Sequence, residues 1–137
     1  MELVLVRHGQ TYANRVHALD TGRPGLPLTP EGLAQADRLA ERWEAEVAAP
    51  PLVLAVSPLL RTRQTCAPLC ARYGIEPLVR PGIRELRSGT VEMNADPHSD
   101  AVYVEGTGAW SRGALGARMG GGETGVEALA RALPVLG

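Results

Sequence analysis

A chain of 137 residues, 45% hydrophobic and 21% charged, fits one domain of ordinary size and calls for a real core, excluding wholesale disorder and fibrous repeats. Its 14 basic residues, all arginine, balance 15 acidic ones to a net charge of -1, so neither nucleic acid nor an acidic membrane is an expected partner. The missing lysine excludes Walker-type phosphate loops and Schiff-base chemistry, and the absence of a long apolar run or basic leader predicts a cytoplasmic protein.

In chain order, Glu2-Leu-Val-Leu-Val-Arg7 is apolar without alternation, the pattern of a strand buried on both faces of a parallel sheet. His8-Gly9 ends it, and Gly22, Pro24, Gly25 and Pro27 mark the following twenty residues as a surface loop. Thr29-Pro30-Glu31 starts a helix: Thr caps a free amide, Pro fits the first turn and Glu complements the positive dipole end. The spacing predicts that helix over 30–48, with Leu33, Ala36, Ala40, Trp43 and Val47 inward. Pro50-Pro51 stops it, and residues 52–56 read as a second continuous apolar strand.

Ser57-Pro58 repeats the capping signal and opens a helix to Tyr73, closed by Gly74, with Leu59, Cys66, Leu69, Cys70 and Tyr73 inward. A third short strand is expected at residues 77–80, ended by Pro81-Gly82. From Gly106 to Gly125 eight of twenty residues are glycine, which predicts a mobile loop. A last helix begins near Glu123 with Val126, Leu129 and Leu133 on one face. The alternation of strand and helix predicts an α/β fold, a mostly parallel central sheet flanked by helices, as a single domain over residues 1–137.

The residues that carry chemistry cluster at the expected strand ends, the edge where open α/β sheets bind ligands. At Arg7-His8-Gly9-Gln10-Thr11, a neutral imidazole can act as a nucleophile beside a guanidinium whose planar fork matches phosphate oxygens. The same residues would also fit a strand cap with a salt bridge. Arg61, on the first turn of the helix after the second strand, would meet the same site beside the helix's positive end, or else stand as a solvated charge. Glu85, after the third strand, is a candidate general acid, its competing reading an ion-pair partner of Arg84 or Arg87. Cys66 and Cys70, four apart, read as a reduced core pair; further ligands for a metal are missing.

Taken together these segments resemble the histidine phosphatase superfamily, the phosphoglycerate-mutase-like proteins, over residues 3–133. Arg7-His8-Gly9 matches the family signature, extended by Thr11 and Asn14; residues 22–32 are similar to the loop into the first helix, with Gly22 and Arg23 as a possible substrate loop. Residues 57–65 look like the second-arginine motif, Arg84-Glu85-Leu86 like the acid-carrying segment, and Gly121-Gly122-Glu123-Thr124 like the motif opening a later helix. The resemblance implies a three-layer sandwich and a phosphohistidine intermediate on His8. It makes Arg7, Arg61, Asn14 and Thr11 the phosphate-binding residues, Glu85 the proton donor, and the reaction free of metal and cofactor. It further implies a small phosphorylated substrate, a pocket ready to take phosphate or sulfate, and hydrolysis in preference to the mutase (isomerase) reaction, because the segment between Glu85 and Glu123 is short.

One departure stands out. The family's second histidine follows a later strand, and His17 and His98 are the only other histidines here, His98 a weak candidate for the pocket rim. The expectation is therefore a chain lacking the fold's C-terminal part, in which residues 3–6 form an exposed apolar edge and the chain dimerises by edge pairing or domain exchange, or else is poorly stable. A phosphate-binding module without turnover is the alternative reading.

Overall fold

The computed structural model describes residues 2–86, 92–116, 118 and 121–136. Among the described residues the α-helices run in chain order as α1 (Tyr12–Arg15), α2 (Pro30–Glu46), α3 (Leu60–Tyr73), α4 (Pro97–Ser111) and α5 (Gly125–Leu136). Strand β1 (Ala55–Val56) precedes α3, and β2 (Leu78–Val79) follows it and leads into a 3-10 turn at Pro81–Ile83. The two strands pair in parallel, Ala55 opposite Leu78 and Val56 opposite Val79, so β1, α3 and β2 form the α/β crossover that the alternation predicts.

The helix boundaries follow from their caps. Thr29 accepts a hydrogen bond from the Gly32 amide and Pro30 occupies the first turn, as the sequence predicts. Helix α3 ends on Gly74 at φ 64°, the left-handed closure that glycine adopts without strain. Helices α2 and α3 pack together around Ala40, Trp43 and Leu69, joined by Val4, Leu39, Ala48, Leu54 and Tyr73. Arg72 of α3 locks the pair by donating to the carbonyls of Ala40 and Glu41 at 2.7 and 2.8 Å. The Cys66 and Cys70 thiols lie 3.4 Å apart on the inner side of α3, both free, and burial pushes the Cys66 thiol up to about 12.

Several expectations are corrected. Residues 2–7 carry no strand among the described residues; Val4 reaches the core, while Leu3 and Leu5 are 68% and 79% exposed. An apolar run becomes a doubly buried strand only where layers flank it on both sides, and here the α2–α3 core meets Val4 while Leu3, Leu5 and Val6 stay exposed. The apolar exposure expected of residues 3–6 is present at Leu3, Leu5 and Val6, without ladder geometry. Leu33 and Val47 are likewise exposed at the margin of the α2–α3 contact, and α2 stops at Glu46.

Helix α3 starts at Leu60, not Ser57, because the Ser57 hydroxyl accepts from the Leu59 amide and engages Thr62, making a turn before the helix. The loop after His8 contains α1, closed by a reciprocal box between Thr11 and Asn14. The glycine-rich segment is helical as far as Ser111: Asp96 caps Ser99, Pro97 takes the first turn, and these starts outweigh the roughly 1 kcal/mol that an interior glycine costs relative to alanine. Helix α5 starts at Gly125, two residues later than expected, and its Val126, Leu129 and Leu133 face is exposed.

Candidate active site

The loop after residue 7 is held from two sides by the starts of α2 and α3. A Cβ on Gly9 would come within 2.6 Å of the Gly32 carbonyl oxygen, and one on Gly32 within 2.1 Å of the Gln10 carbonyl oxygen. Only glycine permits this approach of backbone to backbone. On the other side the Gly9 amide donates to Thr65 Oγ1 at 3.0 Å, and that hydroxyl donates to the Arg61 carbonyl at 2.7 Å. The Thr29 amide donates to the Gln10 carbonyl at 2.9 Å, and the Leu28 amide to Gln64 Oε1 at 2.8 Å, closing the frame.

Within that frame His8 Nδ1 lies 2.7 Å from the Gly9 carbonyl oxygen. A carbonyl only accepts, so Nδ1 carries the proton and Nε2 is left with its lone pair in the neutral ring. Burial lowers the His8 pKa below its ordinary value of 6.5; the nearby Arg61 and Arg7 charges add to this, while the Gly9 bond and Glu85 oppose it. The environment thus favours the neutral, nucleophilic form.

Arg7, His8, Thr11, Asn14, Arg61 and Glu85 line one cleft of about 140 Å³, with Asp20 and Thr21 closing its wall. Six residues spread over 79 positions of sequence are thereby brought together. Thr11 and Asn14 serve the cleft through α1: the Asn14 carbonyl oxygen accepts from the Thr11 amide at 2.9 Å, leaving the Asn14 amide hydrogens as its donors. Arg61 is 3% exposed, and its Nε and Nη1 have no hydrogen-bond partner among the described residues. Buried donors without partners are rare in folded chains, and the arginine that carries these lines the cleft. Glu85 accepts from the Leu86 amide at 2.8 Å through Oε1.

Two residues escaped the sequence reading, Asp20 in the wall and Glu92 behind it. Asp20 Oδ2 lies 3.5 Å from Arg61 Nη1 and accepts from the Leu26 amide at 2.7 Å, so it orients the guanidinium without satisfying it. Glu92 accepts from the Thr21 hydroxyl and from the Gly22 amide, pinning the wall from a segment seventy residues away. Neither had a cue in the sequence; Gly25, at φ 76°, lies against Arg61 and Asp20, where a Cβ would meet Nη1 at 2.9 Å. Gly22 and Arg23 are exposed and do not line the cleft; neither do His17 and His98. Arg84 pairs with Glu123 at 3.7 Å, and Arg87 lies outside the described residues. Among the described residues no three metal-ligating side chains gather, and no helix is long and apolar enough to cross a membrane.

The sequence profile of the histidine phosphatase superfamily, branch 1, matches residues 3–137. The chain belongs to the histidine phosphatase superfamily. Among its relatives in that superfamily, a probable phosphoglycerate mutase GpmB of Enterobacter sp. (strain 638) is 34% identical over 82% of this chain and 48% of its own length. A 5''-phosphoribostamycin phosphatase of Niallia circulans is 37% identical over 58% of this chain and 38% of its own length. The chain thus spans less than half of these relatives. Among solved structures, mycobacterial glucosyl-3-phosphoglycerate phosphatase in complex with VO3 superimposes with a TM-score of 0.76 at 28% identity, over 95% of this chain and 62% of that one. The same phosphatase has also been seen with inorganic phosphate.

Proposed function

We propose that this histidine phosphatase domain is a phosphomonoester hydrolase that works through a phosphohistidine on His8, in the cytoplasm and without a metal. The observation that carries the reading is the combination in one cleft of a neutral His8, its Nδ1 committed to the Gly9 carbonyl, with the unpartnered buried donors of Arg61. Nε2 attacks phosphorus as the bond to the leaving oxygen breaks, and Arg61, Arg7 and the Asn14 amide meet the charge on the transferring oxygens. Glu85, in its protonated form, gives its proton to the leaving oxygen, and as carboxylate then takes one from the water that attacks the phosphohistidine. Phosphatase relatives and a neighbour seen with phosphate support this assignment.

The deciding experiment is phosphate release from p-nitrophenyl phosphate, without added metal, by the wild-type chain and by His8→Ala. Release that vanishes in His8→Ala is expected; release that survives the substitution overturns the reading. A second reading has one specific observation in its favour: neither His17 nor His98 lines the cleft, so His8 is the single histidine there among the described residues. A phosphate-binding module would bind vanadate with no turnover at all. The exposed Leu3, Leu5, Leu52 and Val53 further support self-association with a second copy, which sedimentation velocity would register as a dimer; a monomer at high concentration overturns it.

A further inference from the structure

We propose that Arg131 of α5, held by Glu123, is a positioning residue that sets the place of the Glu85 carboxyl; the inference rests on the role given to Glu85 above. Neither residue lines the cleft. Arg131 instead spends all five of its N–H donors on protein acceptors. Nε and Nη2 bind the two carboxylate oxygens of Glu123 at 3.0 and 2.7 Å, a bidentate pair. Nη1 donates to the carbonyls of Gly82 and Arg84 at 2.7 and 2.8 Å, and Nη2 also reaches the Glu85 carbonyl at 3.2 Å.

Three backbone acceptors, two of the acid-carrying segment and one of the turn before it, are therefore gathered on one guanidinium. Such a hold suits that segment, because among the described residues between β2 and α4 the 3-10 turn at Pro81–Ile83 is the one regular element. The turn also lies directly on α5: a Cβ on Gly82 would come within 2.0 Å of the Arg131 carbonyl oxygen. Glu123 is 4% exposed and supplies the negative charge that lets Arg131 be partly buried. The Glu85 carboxylate is tied to the same backbone through the Leu86 amide. A shift of that backbone by about 1 Å moves the proton donor out of reach of the leaving oxygen, a displacement that typically costs about 10²-fold in rate.

The test compares two esters in wild type, Arg131→Gln, Arg131→Lys and Glu85→Gln. p-Nitrophenolate departs unaided, whereas the alkoxide of glycerol phosphate needs the Glu85 proton as its P–O bond breaks. Arg131→Gln is expected to lower the ratio of alkyl to aryl kcat by at least about tenfold, in parallel with Glu85→Gln. An unchanged ratio, whether both rates fall or neither does, overturns the proposal. Amide hydrogen exchange gives an answer that needs no turnover: Arg84 and Leu86 should lose protection in Arg131→Gln and regain part of it in Arg131→Lys, with α2 and α3 unaltered. Unaltered protection at Arg84 and Leu86, or uniform loss throughout the chain, overturns the clamp. A wild-type chain that hydrolyses neither ester would sink the phosphatase reading alone, with exchange still deciding the clamp.

Discussion

On the cleft side, Gly9 and Gly32 touch backbone to backbone, Thr65 bridges the His8 loop to α3, and Arg61 is buried to 3% exposure. On the sheet side, two-residue strands pair while Leu52 is 92% exposed and the Val126, Leu129 and Leu133 face of α5 meets solvent. The contrast shows that the site is not supported by the sheet. It is supported by helix starts and glycines, short-range devices that close around residues 7–11 whatever happens at the strand edges. Apolar burial, the usual main source of stability, is weakest where the sequence is most apolar.

The largest test of this contrast is Arg61→Ala, which removes the unpartnered donors from the closed side. Loss of one donor group of this kind lowers kcat by about 10²–10³-fold and should weaken vanadate inhibition in step, both read by steady-state kinetics. An effect under about fivefold would mean that the buried guanidinium serves only Asp20. Next comes Gly32→Ala, whose Cβ has no room beside the Gln10 carbonyl; urea unfolding should show a loss of about 1–3 kcal/mol, the range for overpacking a closed site.

A third test sharpens the electrostatics. Because burial and the arginines hold His8 below 6.5, the acid limb of the kcat/KM profile should have its midpoint below that value, activity persisting as pH falls through 6.5. The sign follows from which form is favoured: a lowered pKa keeps the imidazole neutral at pH values where a free one would be charged. A midpoint above 6.5 would contradict it. The smallest effect belongs to the open side: Leu129→Lys should change stability by no more than about 0.5 kcal/mol, since the side chain is already exposed. A larger loss in denaturant unfolding would show that this face is covered in solution.

What was legible in the sequence tracks the same division. The Thr29-Pro30-Glu31 start and the Gly74 stop are local chemistry and stand where the sequence puts them; the β1–α3–β2 crossover is present with strands shortened from 52–56 and 77–80 to Ala55–Val56 and Leu78–Val79. Arg7, His8, Thr11, Asn14, Arg61 and Glu85 share one cleft; Thr11 and Asn14 are placed there by the box that opens α1, and Arg61 by the first turn of α3. Residues 2–7 misled because apolar composition states what a segment would bury and not whether a partner is there to bury it. The segment to Ser111 misled in the opposite sense: its glycines disfavour a helix, but Asp96 and Pro97 start one regardless. Asp20 and Arg131 were invisible because their partners, Arg61 in one case and the carbonyls of residues 82–85 in the other, are 41 or more positions away in sequence.

The most direct test of the account is to trap the covalent intermediate. The chain is mixed with p-nitrophenyl phosphate, quenched in base within milliseconds to seconds, and digested for mass spectrometry under alkaline conditions. The account predicts a phosphoryl group on the peptide carrying His8, labile in acid, and absent from His8→Ala. Hydrolysis that proceeds with His8 never phosphorylated would contradict it.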